Sequence, residues 1–332
     1  QEDGSYDFIP MLTYIKESMG NADYTVANVD GPMGGAGKRG YKGYPQFNTP
    51  PHLMLALLDA GVDMLTLSNN HALDTYFDGL KAEIENCIQC GMAYVGGART
   101  QEEHDTPVIK EVNGIKIGFL NYTESANTME KYSDADASVY GINFARKADF
   151  DADVQAARSA GAEVVVAYMH WGTEYERTAD SNQQTYAKKL VAAGVDVIIG
   201  SHPHVVQPAY WLSGTRKSDG GTQRTLCLCS LGNFLSDQRA QYRDGGIIFE
   251  FTIQETSAGV FDIVSPKYIP TYVWRTGDDD SGYTYRVVPC GVYLDSAPDG
   301  MSDSDHARLV EVWQETIEQM NRGDSNAEVV AK

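Results

Sequence analysis

Positive charge and long apolar runs are both scarce in this sequence. Its 26 Lys and Arg residues stand against 46 Asp and Glu residues, which gives a net charge of −20. Nucleic acids and anionic membrane surfaces require clustered positive charge, so neither is expected as the main partner. The longest apolar runs, such as residues 164–169, fall far short of the roughly 20 residues of a membrane span. The chain starts at Gln1 and shows no signal peptide or anchor, so we expect a processed or trimmed form.

Cysteines are few and irregularly spaced. Cys87 and Cys90 form a CxxC pair, Cys227 and Cys229 alternate along a predicted strand, and Cys290 stands alone. The odd number excludes a complete disulfide framework. One CxxC pair without suitably spaced histidines is also too little for a structural zinc site. We predict buried thiols, with one disulfide as the alternative.

The residues that are abundant predict a globular chain of mixed helices and strands. The sequence is 42% hydrophobic and contains 32 glycines, which is typical of a loop-rich globular protein. Segments such as 8–19 and 76–90 have helical spacing, and residues 163–169, which are apolar after Glu163, predict a strand. Helices and strands alternate early and strands dominate later, which favours an α/β (α+β) fold of mixed sheets covered by helices. We predict a single domain over residues 1–320 and a frayed polar tail over residues 321–332.

Turn and loop signals refine this outline. The Asn113-Gly114 pair between two apolar runs predicts a hairpin, because both residues tolerate the left-handed backbone of a tight turn. Residues 121–148 are predicted to form a long irregular loop, a feature that is often functional. Residues 260–269 are predicted to form one of the later strands.

Polar side chains follow the first predicted strand. Asn28 and Asp30 are two residues apart, so in extended backbone both side chains point the same way. They could serve as ligands, or they could form an Asx turn that ends the strand.

A second group follows the next predicted strand. Asn69, Asn70 and His71 come directly after residues 62–67, and Asp74 follows closely. An amide oxygen can coordinate a cation while a neighbouring imidazole stays free for proton transfer. The alternative is a plain loop in which Asp74 caps the following helix.

Three further histidines end later strands. His170 follows an apolar run and is close to Glu174, although a histidine at such a position could equally be a core residue. His202 and His204 flank Pro203, and a residue before proline is biased to extended backbone. In that conformation both imidazoles project to one side as a chelating pair. Open α/β sheets place their ligands at such strand ends.

Together these segments offer one carboxylate, one amide and three imidazoles as metal ligands, with His71 left for proton transfer. This mixture suits Mn²⁺, Fe or Zn²⁺ better than Ca²⁺, which prefers oxygen ligands alone. Two cations about 3.5–4 Å apart, bridged by a carboxylate, can generate hydroxide and clamp the oxygens of a phosphoryl group.

The same segments resemble a known family. NNHALD (residues 69–74), HWGTEY (170–175), GSHPHVVQP (200–208) and SLGNF (230–234) occur in the order and spacing of the CapA/PgsA-type capsule and poly-γ-glutamate biosynthesis proteins. The opening YDFIPML to ANVDGP is similar to the start of the same domain, and the resemblance extends from about residue 6 to at least 237. It implies a calcineurin-like metallophosphoesterase fold, a four-layer αββα sandwich of two mixed sheets flanked by helices.

The resemblance also implies roles for individual residues. Asp30 takes the place of a carboxylate that bridges two metals. Asn70, His170 and His202 complete one metal site, and His204 belongs to the second.

The remaining candidates surround these ligands. His71 corresponds to a proton donor to the leaving group or a stabiliser of the transition state. Contacts with the ligands or the substrate are expected from Asn28, Asn69, Asp74, Glu174 and Asn233.

The sequence departs from the family pattern in two places. Aspartate stands at position 30 where the family usually has glutamate, which is longer by one methylene. The Gly-Asp strand end that supplies another ligand does not occur before Tyr6. We therefore expect one well-supplied metal site and one weak site.

Three functions remain open at this stage. The first is a metal-dependent phosphoesterase-type hydrolase in capsule or poly-γ-glutamate biosynthesis or export, and the second is a non-catalytic subunit that handles the polymer. The third is a metal-dependent hydrolase of γ-glutamyl amide bonds. The expected partners are an anionic polymer or phosphoester and membrane-bound capsule synthesis subunits. The resemblance implies a location outside the cytoplasmic membrane, through an N-terminal anchor absent from this sequence.

Overall fold

The computed structural model of the protein describes residues 6–37 and 39–332. The α-helices in these ranges are α1 (Ile9–Leu12), α2 (Lys16–Gly20), α3 (His52–Asp59), α4 (Tyr76–Cys90), α5 (Gln101–His104), α6 (Phe150–Ser159), α7 (Ser181–Ala193) and α8 (Asp303–Met320). The strands are β1 (Val26–Asn28), β2 (Met64–Thr66), β3 (Ala93–Val95), β4 (Val108–Val112), β5 (Ile115–Thr123), β6 (Val164–His170), β7 (Val197–Ser201), β8 (Val206–Thr215), β9 (Thr222–Leu231), β10 (Gly245–Ser257), β11 (Val260–Asp278), β12 (Gly282–Pro289) and β13 (Glu328–Val329). Short 3-10 helices cover Met129–Lys131 and Cys290–Tyr293, and a π-helix covers Ala137–Gly141.

Local sequence explains the long elements. In α4, Phe77, Leu80 and Ile84 are buried at helical spacing, and the helix ends at Gly91 with φ +79°. Only glycine adopts this left-handed conformation without steric cost. The predicted helix over residues 76–90 is confirmed, as is the hairpin in which β4 pairs antiparallel with β5 around Asn113-Gly114.

The strands form three hydrogen-bonded sheets in the described part of the chain. A six-stranded sheet has the order β4-β5-β6-β7-β9-β8, in which β5, β6, β7 and β9 are parallel neighbours. A three-stranded parallel sheet has the order β1-β2-β3. The third sheet is antiparallel through β10-β11-β12, and β13 joins it in parallel with β11.

Buried side chains show how these sheets are layered. Met64 of β2, Phe119 of β5 and Ile247 of β10 belong to one apolar cluster, so the two smaller sheets pack on the same face of the six-stranded sheet. Helices α6 and α7 cover its other face, and α3 and α4 pack against the β1–β3 sheet. The predicted mixed α/β architecture of sheets flanked by helices is confirmed. The second β layer differs from the prediction because it is divided into two sheets.

Other expectations differ in detail. The segment predicted as one helix over residues 8–19 forms the two short helices α1 and α2. The tail is not frayed as predicted, since β13 pairs with β11 and the amide of Trp211 donates to Asp324 at 2.7 Å. The predicted division at residue 320 stays a prediction.

The cysteines and the helices settle two further points. All five cysteines are free, and Cys90 is the one that is half-buried while the other four are buried. No helix in the described ranges has both the length and the apolar character that a bilayer crossing requires.

Candidate functional site

The site lies where the β1–β3 sheet and the six-stranded sheet bring their strand ends together. Asp30 follows β1, Asn70 follows β2, and His170 is the last residue of β6. His202 and His204 follow β7. Because β1 and β2 are parallel, as are β6 and β7, the carboxyl ends within each pair lie at the same sheet edge.

Close contacts join the two edges. The Nε2 atom of His170 lies 2.9 Å from Oδ1 of Asn70 and 3.6 Å from Oδ1 of Asp30. The rings of His170 and His202 have centroids 4.8 Å apart, and those of His202 and His204 are 6.1 Å apart. The structure therefore brings together the five side chains that were predicted from the sequence as metal ligands.

The loop that carries His202 and His204 is not extended as predicted. The two residues have φ values of +98° and +59°. The Pro203 carbonyl accepts a hydrogen bond from the amide of Tyr175 at 2.7 Å, which fixes the turn between them. Positive φ at a non-glycine residue costs about 1–3 kcal/mol and is concentrated at functional sites. The imidazoles still meet, but through a strained turn instead of strand alternation.

The scaffold under this loop depends on a glycine. A Cβ atom at Gly200 would collide with the carbonyl oxygen of Cys229 and with the indole nitrogen of Trp171. That nitrogen donates to the same carbonyl at 3.0 Å. Glycine is therefore required immediately before the segment that carries the two histidines.

The surroundings of the cluster favour an ionised Asp30 and neutral rings at His170 and His202. Burial opposes ionisation of Asp30, but His170, His204 and the hydrogen bond from Asn28 outweigh it and lower the pKa of this carboxyl. Burial lowers the pKa of His170 to about 3 and also lowers the pKa of His202. At neutral pH the cluster therefore presents the anionic oxygen of Asp30 beside the uncharged imidazoles of His170 and His202, the forms in which these groups bind cations.

The pKa of His71 is shifted in the opposite direction from those of His170 and His202. Its Nδ1 atom lies 2.7 Å from Oδ2 of Asp74, and the Phe47 amide donates to the same oxygen at 2.7 Å. Burial alone would lower the pKa of His71, but the hydrogen bond and charge of Asp74 outweigh it and raise that pKa. The pair holds a proton on Nδ1 and leaves Nε2 as the nitrogen that can face a substrate.

The other sequence candidates support this arrangement. The Asn28 amide donates to Oδ1 of Asp30 at 3.1 Å. Asn69 donates to the carbonyl of Val29 at 2.9 Å and so ties together the loops after β1 and β2. The Oδ1 atom of Asn233 lies 2.9 Å from Nδ1 of His204. Glu174 is exposed beside the cluster.

Sequence reasoning did not identify three residues near the cluster. Oγ of Ser201 lies 3.0 Å from Nδ1 of His170, and its position beside His202 could have indicated this role. Asn121 of β5 accepts a hydrogen bond from the Ser68 amide at 2.7 Å and thereby joins the two sheets. Arg243 lies with its guanidinium 3.3 Å from the ring centroid of Tyr175, and no motif marks it.

The donor set fits a divalent cation, although it is not preformed as a cage. Nδ1 of His202 is buried without a hydrogen-bond partner, and a ligand atom left in this state is satisfied by metal binding. Within residues 6–37 and 39–332, however, no group of three or more His, Cys, Asp or Glu side chains already has an arrangement that could hold a metal ion. The residues converge, but their side chains would have to rearrange to close around a cation.

Solved structures offer loose likenesses. The calcineurin-like phosphoesterase YfkN from Bacillus subtilis is 14% identical, with a TM-score of 0.47 and coverage of 95% of this chain and 90% of that chain. A hypothetical protein from Thermus thermophilus is 15% identical, with a TM-score of 0.40 and coverage of 83% and 91%. Both likenesses are too distant to support an inference about this chain.

Sequence relatives are more informative. The capsule biosynthesis protein CapA of Bacillus anthracis is 25% identical over 262 residues, which cover 78% of this chain and 60% of the relative. The PGA biosynthesis protein CapA of Bacillus subtilis (strain 168) is 26% identical over 261 residues, which cover 76% and 63%. The chain thus spans about three fifths of the length of these relatives. Because the family described as bacterial capsule synthesis protein PGA_cap matches residues 1–238, the chain belongs to that family, as the sequence motifs indicated.

Proposed function

We propose that this chain is a metal-dependent hydrolase domain that cleaves phosphoester bonds during capsule or poly-γ-glutamate assembly at the cell envelope. The observation that carries the proposal is the convergence of Asp30, Asn70, His170 and His202, with the buried Nδ1 of His202 left without a partner. The family and the names of its CapA relatives support the link to capsule polymers. Its partners would be an anionic polymer or phosphoester and membrane-bound synthesis subunits.

The residues divide into two groups of ligands. Asp30, Asn70, His170 and His202 would hold one cation, of the Mn²⁺, Fe or Zn²⁺ type. Asp30 and His204 would hold a second, weaker one. Bound cations of this kind supply hydroxide at neutral pH and offset charge on phosphoryl oxygens.

The protein's own groups would position and protonate the substrate. Asp74 keeps the His71 ring oriented with Nε2 free, and the raised pKa of His71 favours the form that donates a proton to a leaving oxygen. Ser201 and Asn233 contact Nδ1 of His170 and His204, so the opposite ring nitrogens are the ones available as ligands.

The test compares wild type with His202→Ala. We expect the variant to bind metal at least about tenfold more weakly and to lose activity toward a model phosphodiester, because one ligand is removed. His104→Ala is the matched control, since His104 is an exposed histidine on α5. Metal content by mass spectrometry and release of the phosphodiester product are the measurements.

Each outcome separates the claims. Equal metal content in wild type and His202→Ala would remove the metal site from the proposal. Metal binding without cleavage of any phosphoester would leave the metal and remove the catalysis. If γ-glutamyl oligomers are cleaved instead, the chain is an amide hydrolase that uses the same residues.

A second candidate is a non-catalytic subunit that handles the polymer. The observation in its favour is that no three acidic, histidine or cysteine side chains among the described residues are already arranged as a metal cage. Turnover that depends on His202 would exclude it.

A further inference from the structure

A positively charged side chain lies beside the histidine cluster, in a chain whose net charge is −20. The guanidinium of Arg243 is 3.3 Å from the ring centroid of Tyr175. The Tyr175 ring is stacked on the His204 ring, with centroids 5.9 Å apart and planes 26° apart. Arginine, tyrosine and histidine therefore form a continuous stack that leads from the predicted ligands outwards.

The backbone holds this stack in place. Asn233 donates to the Arg243 carbonyl at 2.7 Å through the same carboxamide that contacts His204. The Tyr175 amide donates to Pro203, in the turn between His202 and His204. The position of Arg243 is thus coupled directly to the loop that carries the two histidines.

The next residue, Asp244, is held in place by an ion pair with Arg308. Asp244 is buried and receives two hydrogen bonds from Arg308, at 2.8 and 2.9 Å. Asp244 therefore anchors one end of the segment that presents Arg243, and Asn233 anchors the carbonyl of Arg243 itself. A side chain presented from an immobilised backbone loses less entropy when it binds a ligand.

The guanidinium itself has no acidic partner among the described residues. None of their ion pairs or side-chain hydrogen bonds includes it, although acidic residues outnumber basic ones in this chain. The side chain is half-buried, and its guanidinium carbon lies over the Tyr175 ring, 3.3 Å from the centroid. A planar fork of donors matches the paired oxygens of phosphate and carboxylate groups.

We propose that Arg243 binds an oxyanion of the substrate beside the reacting bond and makes the site specific for anionic polymers. The inference deepens the proposed function by assigning a residue that binds the substrate's oxyanion, and it rests on that function for the identity of the reacting bond. The oxyanion would be a phosphate or a carboxylate of the polymer. Tyr175 holds the guanidinium in the orientation that receives it.

Binding of simple anions tests the proposal without requiring turnover. Titration calorimetry with inorganic phosphate and with a γ-linked glutamate oligomer would compare wild type, Arg243→Ala and Arg243→Lys, with and without added Mn²⁺. We expect Arg243→Ala to bind at least one anion about tenfold or more weakly, because a charge-assisted contact is lost. Arg243→Lys should restore part of the affinity, since it keeps the charge but not the fork.

Arg224→Ala is the matched control. The Arg224 guanidinium also stacks on an aromatic ring, 3.6 Å from the centroid of Trp211, but that pair lies on β8 and β9 away from the cluster. Loss of phosphate binding alone would identify a phosphate, and loss of oligomer binding alone would identify a carboxylate. If wild type binds neither anion, or if Arg243→Ala binds both as tightly as wild type, the inference is wrong.

Measuring turnover distinguishes a failure of this inference from a failure of the proposed function. If the enzyme is active, Arg243→Ala should raise KM for an anionic substrate and change kcat by less than about threefold. If no protein shows turnover, the proposed function fails, while the anion titrations still decide the role of Arg243. Unchanged circular dichroism spectra would show that the variants fold.

Discussion

At the scale of single residues, the backbone and the side chain of His202 are both in energetically unfavourable states. His202 and His204 have left-handed backbone conformations that non-glycine residues avoid, and Nδ1 of His202 is buried without a partner. Each feature is costly on its own, by about 1–3 kcal/mol. Both features coincide with the convergence of Asp30 and His170, and departures of this kind are expected at functional sites. Ligand binding at Nδ1 of His202 would remove one of these costs.

Glu83 predicts a pH-dependent stability that is unrelated to the site. This side chain is buried in α4, and burial raises the pKa of its carboxyl from 4.5 to about 8, although a hydrogen bond donated by the Met33 backbone opposes the shift. The folded protein therefore keeps a proton between about pH 4.5 and 8 that the unfolded chain releases. The free energy of unfolding should fall as pH rises through that window, since the unfolded state binds fewer protons there.

Glu83→Gln should remove this slope. The free energy of unfolding of the variant should exceed that of wild type near pH 8 by up to a few kcal/mol, since one pKa unit corresponds to about 1.4 kcal/mol. The difference should vanish below about pH 4.5. Urea denaturation at a series of pH values measures it. Glu85→Gln is the control, because Glu85 is exposed on the same helix. Parallel pH curves for Glu83→Gln and wild type would show that Glu83 is not protonated in the fold.

At the scale of elements, one ion pair attaches α8 to the start of β10. Arg308 donates to both carboxylate oxygens of Asp244, whose side chain is 6% exposed. Arg308→Ala would leave that carboxylate buried and unpaired, which costs about 3–5 kcal/mol. Thermal or urea unfolding of the variant measures the loss.

Two further variants make this test specific. Glu311→Ala removes an acceptor of Arg308 that is 62% exposed, so we expect a loss of less than about 1 kcal/mol. The double variant of Arg308→Ala and Asp244→Ala should be less destabilised than the sum of its single variants, because the unpaired charge is gone. Additive losses would contradict the coupling.

The elements that could be predicted from the sequence are those with a strong local signal. The helix over residues 76–90 has buried positions at regular spacing, and the Asn113-Gly114 turn determines its hairpin without help from distant residues. The break between α1 and α2 was not predictable, because the spacing of Leu12, Ile15 and Met19 suits one helix or two short ones equally well.

Elements that depend on distant partners were predicted less well. Strand β11 continues to Asp278 instead of ending near residue 269, because β10 pairs with its first part and β12 with its last part. The tail is ordered by Trp211 and β11, which lie far away in the sequence.

The candidate site shows the same limit. Its histidines could be predicted as site residues because they lie at strand ends, and parallel strands end at a common edge of the sheet. The turn at Pro203 and the stacking of Arg243 on Tyr175 depend on contacts between separate loops, and no local pattern encodes them. The sequence therefore identified which groups meet, while their geometry required the fold.

At the scale of the whole molecule, negative charge is the dominant property. Most ion pairs of the described residues lie at the surface, where each contributes about 0–1 kcal/mol, so they do little to offset the repulsion within a chain of net charge −20. Such repulsion is weakened by salt, because the screening length falls from about 10 Å at 0.1 M to about 3 Å at 1 M. The folded state suffers more from repulsion than the expanded unfolded chain, so screening should favour folding.

We therefore expect Tm in the presence of EDTA to rise by a few degrees between 0.1 M and 1 M NaCl. The control is a triple variant with Glu111→Lys, Asp262→Lys and Glu318→Lys, three exposed positions whose side chains form no ion pair in the described residues. It reduces the net charge from −20 to about −14, because each change adds two positive charges. The variant should melt at a higher temperature than wild type at 0.1 M NaCl and should gain less from added salt. If Tm of wild type stays constant or falls as NaCl is added, charge repulsion does not limit the stability of this fold, and the surface ion pairs contribute more than their exposure indicates.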